Sequence, residues 1–318
     1  MNDSPTSKPV FYLAPLQGFI DYSFRQAFYA LFDAPDVAFS PFIETHKPDH
    51  KAFRDVLPER NQGVRLIPQI LGNNAAEMQQ VITHLNELGY KEINWNLGCP
   101  YPMVAKKQMG AGLLPHPDKV DAILSELFKD PTLHLSIKMR LGYTSPDEWK
   151  MLVPILNRYP LTEVIIHGRT ASQMYRGEVN ENAFVDMARE LIHPVCFNGN
   201  INTLEDFQSL SAGMPFVSRW MIGRGLIANP LLIHEIKSNS KAPLQDIQSA
   251  INRLHDQLLY YNSIRLSGDS HLMHKVKPYW EYFAQSFAEN KKGLKKIKKA
   301  STYGEYINAC KELSLTNP

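Results

Sequence analysis

Eight short apolar or β-branched runs recur along this chain, and a stretch of helical periodicity follows nearly every one. The runs are VFYLA (10–14), VAFSPFI (37–43), RLIPQIL (65–71), KEINWNL (91–97), LHLSIKM (133–139), TEVIIH (162–167), PVCFN (194–198) and FVSRWMI (216–222). Between them, DYSFRQAFYALF, AAEMQQVITHLNEL, PDKVDAILSELF and DEWKMLVPILNRY space their apolar residues three or four apart, as amphipathic helices do. Pro117 suits the first turn of one of these helices. Strands that alternate with helices demand a parallel sheet with crossovers. Eight such units in about 240 residues match a closed (β/α)8 TIM barrel. The competing arrangement is an open doubly wound sheet, but no GxGxxG opens the first crossover. The expected fold class is therefore α/β, with a TIM-barrel domain over residues 1–238.

The texture changes at SNSKAP (238–243), a polar linker containing proline. Beyond it, LQDIQSAINRLHDQLLYYNSI and HLMHKVKPYWEYFAQSF read as helices, and no strand alternation remains. Residues 241–318 are expected to form a small all-helical domain. They carry 12 Lys and Arg against 7 Asp and Glu, whereas residues 1–240 carry 22 against 25. A basic tail on a slightly acidic body suits either a polyanionic partner or a solvated surface. In KKGLKKIKKA (291–300), Lys291, Lys295 and Lys298 share one helical face, and Lys292, Lys296 and Lys299 share the next. Gly293 weakens helix propensity there, so part of the run is expected as loop.

The three cysteines, Cys99, Cys196 and Cys310, are far apart and form no CxxC pair, so neither a disulfide framework nor a metal site is expected. The polar start MNDSPTSKP lacks an apolar h-region, and the apolar runs are too short to span a bilayer. A cytoplasmic setting without membrane contact is expected. Oligomeric state stays open, with a monomer as the default.

In such a barrel the chemistry sits at the C-terminal ends of the strands. Those ends supply Ala14 and Pro15, Glu44, Gln69, Asn96 with Cys99, Lys138 with Arg140, His167 with Arg169, Asn198-Gly199 and Gly223-Arg224-Gly225. The last two form a candidate phosphate cradle: glycines allow close approach, and Arg224 offers a bidentate cation. Lys138 lies in an apolar run and would be costly to bury unpaired, so it is expected to point into the mouth. It could donate to an electron-rich heterocycle or form a Schiff base. Cys196 and Cys310 read as small buried hydrophobes. Cys99 differs, because it sits past a strand end, between Gly98 and Pro100. Its thiol could act as a nucleophile or as a proton donor.

The segments APLQGFIDYSFR (14–25), PQILGNN (68–74), NLGCPYPMVAKKQMGAGLL (96–114), SIKMRLGY (136–143), IIHGRTASQMYRG (165–177), FNGNI (197–201) and MIGRGLIANP (221–230) follow one another in a familiar order. Together they resemble the tRNA-dihydrouridine synthases, flavin enzymes that reduce a uridine base in tRNA. The resemblance covers nearly the whole barrel and is most specific around Cys99. It implies bound FMN, NADPH as the reductant, and tRNA as the partner of the helical domain. Cys99 would be the general acid. Pro15, Leu16, Gln69, Asn96, Lys138 and His167 would surround the flavin ring and its ribityl chain. Asn198, Gly199, Gly223 and Arg224 would hold its phosphate. Arg140, Arg169, Tyr175, Arg176, Lys295 and Lys298 would meet tRNA. The family often has an acidic residue after Asn-Gly, where this chain has Asn200, and Asn200 is left outside the candidate set. Leu16 replaces a common methionine at little cost.

The implied reaction reduces the C5–C6 bond of uracil, with a hydride to C6 and a proton from Cys99 to C5. A stacked base cannot reach a barrel mouth, so it must be extruded. Two other classes compete: a Schiff-base aldolase or lyase on Lys138, and a non-catalytic tRNA-binding protein. No base-reading motif says which uridine is modified.

Overall fold

The computed structural model describes residues 8–46, 48, 50–287 and 290–315; the polar N-terminal residues 1–7 lie outside them. The strands are β1 (Val10–Leu13), β2 (Val37–Phe39), β3 (Ile43–Glu44), β4 (Leu66–Ile67), β5 (Gln69–Leu71), β6 (Glu92–Leu97), β7 (His134–Gly142), β8 (Val164–Thr170), β9 (Val195–Asn198) and β10 (Arg219–Ile222). All pair in parallel, and β1 pairs with both β2 and β10. Two of the expected runs are broken. Ser40-Pro41-Phe42 parts β2 from β3, and Pro68, which has no N–H to give, parts β4 from β5. The pieces still face each other, β2 on β4 and β3 on β5. The ten segments therefore close into a ring of eight runs, a TIM barrel.

The interior is filled. Tyr12, Phe39, Ile67, Ile165, Cys196 and Met221 meet inside the ring, and none is more than 6% exposed. The helices outside match the apolar spacing. Asp21 caps Tyr22–Leu31 through Phe24 N, Asn74 caps Ala75–Glu87 through Glu77 N, and Pro117 opens Pro117–Leu127. Their apolar faces join one continuous core with the outward side chains of the strands.

Two strands run longer than the sequence suggests. β7 continues past Met139 to Gly142, and β8 continues past His167 to Thr170, with a register shift near Arg140. Arg140 and Arg169 are thus strand residues rather than loop residues.

After β10 the chain is helical, led by Leu244–Arg265. The next stretch is not one helix. Lys277-Pro278-Tyr279 forms a 3-10 turn between Asp269–Val276 and Trp280–Phe283, because Pro278 cannot continue the ladder. The basic run is helix throughout, Asn290–Lys299. Gly293 serves packing there: a Cβ on it would lie 2.5 Å from Leu313 of the helix Tyr303–Leu315. Among the described residues, no helix is long and apolar enough to cross a membrane.

Candidate active site

A cavity of about 280 Å³ opens at the C-terminal ends of the strands. Of the residues singled out in the sequence, Pro15, Leu16, Asn96, Cys99, Lys138, Arg140, His167, Arg169, Tyr175, Asn198, Gly199, Gly223 and Arg224 line it. Six strand ends, those of β1, β6, β7, β8, β9 and β10, gather them at the mouth where barrel chemistry sits.

Cys99 is 7% exposed and faces this space. The backbone holds it firmly. Asn96 Oδ1 accepts from Gly98 N at 2.9 Å and from Cys99 N at 2.8 Å. Asn96 Nδ2 in turn donates to Gln69 Oε1 at 2.7 Å. Gly110, at φ +55°, presses on the cysteine from behind, where a Cβ would lie 2.9 Å from Cys99 Cβ. The GAG triplet is therefore a seat for the cysteine loop. Burial pushes the Cys99 thiol up, and the Tyr101 amide, Arg140 and Lys138 do not cancel that effect. At neutral pH it is a thiol with a proton to give.

Gln69 sits in a buried hydrogen-bond chain behind Asn96. It is 0% exposed and does not line the cavity. Its Nε2 donates to Asn94 Oδ1 at 2.7 Å, and Asn94 Nδ2 donates to Ser136 Oγ at 2.8 Å. This buried amide chain across β5, β6 and β7 positions Asn96, and through it Cys99.

Much of the lining is cationic. Lys138, Arg140, Arg169 and Arg224 line the cavity, and among the described residues no Asp or Glu does. Burial first, and then the Arg140 charge, pushes Lys138 down to about 7. Arg140 Nε donates to Gly98 O at 2.9 Å and Nη1 to Thr170 O at 2.8 Å. Arg169 donates twice to Gly177 O and once to Asn200 Oδ1, at 3.0 Å. Both arginines are 1% exposed. Only a group inserted in the cavity reaches them. Arg176 is exposed on the loop after β8, outside the cavity, and Lys295 and Lys298 are likewise exposed and outside it.

Arg169 Nη1 lies 3.1 Å from His167 Nε2. A guanidinium only donates, so Nε2 accepts and the ring proton sits on Nδ1. Burial, then the charges of Arg140, Lys138, Arg169 and Arg224, holds His167 well below its usual range, so it is neutral. Tyr175 lies between Arg140 and Arg224, with each guanidinium carbon 5.4 Å from the ring centre.

The sequence reading missed several wall residues. Asn200 accepts from Arg169 and, at 3.4 Å, from Arg224, so it belongs to the site after all. Its position directly after Asn198-Gly199 was the available signal. Tyr101, which follows Cys99-Pro100, also lines the wall, as do Phe19 and Phe42. Tyr282 comes from the C-terminal helices, and no spacing pattern could have placed it.

A profile of the dihydrouridine synthase family matches residues 12–315. The chain belongs to that family. It is 28% identical over 313 residues to the tRNA-dihydrouridine(16) synthase of Vibrio parahaemolyticus, covering 93% of this chain and 94% of that protein. It is also 28% identical over 260 residues to the probable tRNA-dihydrouridine synthase 2 of Bacillus subtilis, covering 79% of each. Among solved structures, morphinone reductase in complex with tetrahydroNAD superposes with a TM-score of 0.51 at 9% identity, over 73% of this chain and 87% of that one. An old yellow enzyme homologue from Zymomonas mobilis gives 0.53 at 9% identity, over 73% and 89%. These two share the barrel fold.

Proposed function

We propose that this chain reduces the C5–C6 bond of a tRNA uridine, with FMN held in the cavity, NADPH as the reductant and Cys99 as the proton donor. The observation that carries the reading is a neutral buried thiol in a cavity lined by four cations, with no carboxylate among the described lining residues. Such a donor set suits an anionic, electron-rich cofactor. Lys138 and the neutral His167 offer polar contacts to a heterocycle, while Arg224 beside Gly199 and Gly223 suits a phosphate. A flavin held by these residues would supply the hydride for C6 of the base. Cys99 delivers its proton to C5 and is reprotonated from solvent. Asn96 fixes the cysteine loop during that transfer. The exposed rings of Tyr101 and Tyr175 at the mouth suit an extruded pyrimidine.

The helical part, with its basic face and with Tyr282 in the cavity wall, is proposed to hold the tRNA. Position 16 is the proposed target, since the Vibrio relative named for it matches over 93% of this chain. A Schiff-base enzyme on Lys138 is set aside, because nothing in the family match points to carbonyl chemistry. The test has two arms. Purified protein should be yellow and bleach with NADPH, and tRNA from cells lacking it should lose dihydrouridine at position 16. A colourless protein that cannot be loaded with FMN contradicts the cofactor. Intact dihydrouridine at position 16 contradicts the target.

A further inference from the structure

One wall of the cavity is the loop after β1, where Pro15, Leu16, Gln17 and Phe19 line the space. The start of this loop is held locally: Leu16 O accepts from Phe19 N at 3.1 Å and Ile20 N at 3.0 Å. Gly18, at φ +85°, makes the turn, with open space where a Cβ would lie. Past that turn the loop leans on the C-terminal helices. Lys275 Nζ donates to Gly18 O at 2.8 Å and also reaches Asp21 Oδ2 at 2.8 Å. Arg265 Nη1 approaches the same carboxylate oxygen at 3.0 Å. The Tyr279 hydroxyl donates to Phe19 O, and the Phe19 ring meets Tyr279 and Tyr282 edge-on. Asp21 Oδ1 meanwhile caps the helix Tyr22–Leu31.

We propose that Lys275 is a positioning residue for the cofactor site: it ties the helical part to the β1 loop, and the site takes its ligand at full affinity only while that tie is made. This rests on the flavin reading above. Lys275 is the one side chain among those named that bridges both sides of the glycine turn, from the Gly18 carbonyl to the Asp21 carboxylate. Arg265 secures Asp21 but leaves the Gly18 carbonyl alone. The Lys275 and Asp21 side chains are only 17% and 14% exposed, so solvent and salt screen the tie weakly. A helical part placed to hold RNA thereby also shapes the wall against which the cofactor rests.

The test titrates FMN into apoprotein by flavin fluorescence quenching and follows amide exchange across residues 16–21 without flavin. Lys275→Met should weaken FMN by about tenfold, the scale of one charge-assisted contact, and speed exchange at Phe19 and Ile20, with the unfolding midpoint little changed. Asp21→Asn keeps the helix cap and loses the ion pairs, and should shift FMN affinity in the same direction. Wild-type FMN affinity and wild-type exchange in both variants overturn the proposal. A wild-type chain that takes up no flavin overturns the cofactor reading instead, while the exchange arm still decides whether Lys275 holds the loop.

Discussion

At the scale of single residues, the chemistry depends on how Cys99 is held. Its place between Gly98 and Pro100, past a strand end, was legible in the sequence because a core cysteine needs no such setting. Its supports were less legible. Gln69 is buried and bonded to Asn94 and Asn96, a support the sequence did not reveal, since a strand-end amide can face either the mouth or the layer beneath. Asn200 looked dispensable and bridges two arginines, because only the folded barrel brings β8 and the loop after β10 together. Gly110 gives a direct check. Gly110→Ala forces a left-handed residue and a Cβ into the back of Cys99. Stability should fall by about 1–3 kcal/mol from the backbone alone in urea denaturation. Unchanged stability would mean that the glycine does not seat the cysteine loop.

At the scale of elements, eight strand runs could be read from periodicity, and all eight lie in the ring. Their ends could not. The runs containing Pro41 and Pro68 are broken, while β7 and β8 gain residues from mutual pairing that no single run displays. That extra length is why Arg140 and Arg169 are walls rather than surface arms. The other end of the barrel carries its own signature. Glu163, just before β8, accepts from the Tyr12 hydroxyl at 3.0 Å and lies 3.8 Å from Arg219 at the start of β10. Burial pushes the Glu163 carboxyl up to about 7, against the pull of Arg219. Between the ordinary carboxylate value and about 7 the folded chain keeps a proton that the unfolded chain has released. The stability this group contributes is therefore full in acid and is lost as pH rises through about 7. Glu163→Gln keeps an acceptor for Tyr12 and cannot ionise. It should leave stability near pH 5 almost unchanged and raise it by about 1–3 kcal/mol near pH 8.5. Equal effects at both pH values would contradict the buried-carboxylate account.

At the scale of the whole molecule, the helical part does more than its composition suggested. Its charge and texture could be read from the sequence, but its share of the cavity through Tyr282 and its grip on the β1 loop could not, since both are long-range contacts. The basic helix is also less uniform than its sequence. Lys296 pairs with Glu312 and Lys298 with Glu281, both at 2.5 Å, so one of the two lysines expected to meet RNA already has a partner. Barrel and helices together frame a single mouth, and the central claim is that a neutral thiol there protonates a uracil. The most direct measurement quantifies dihydrouridine by mass spectrometry after purified protein, FMN, NADPH and unmodified tRNA react. Cys99→Ala should retain its flavin and its tRNA affinity yet form product at least about 100-fold more slowly, the usual contribution of a general acid. A Cys99→Ala variant as fast as the wild type would contradict the account.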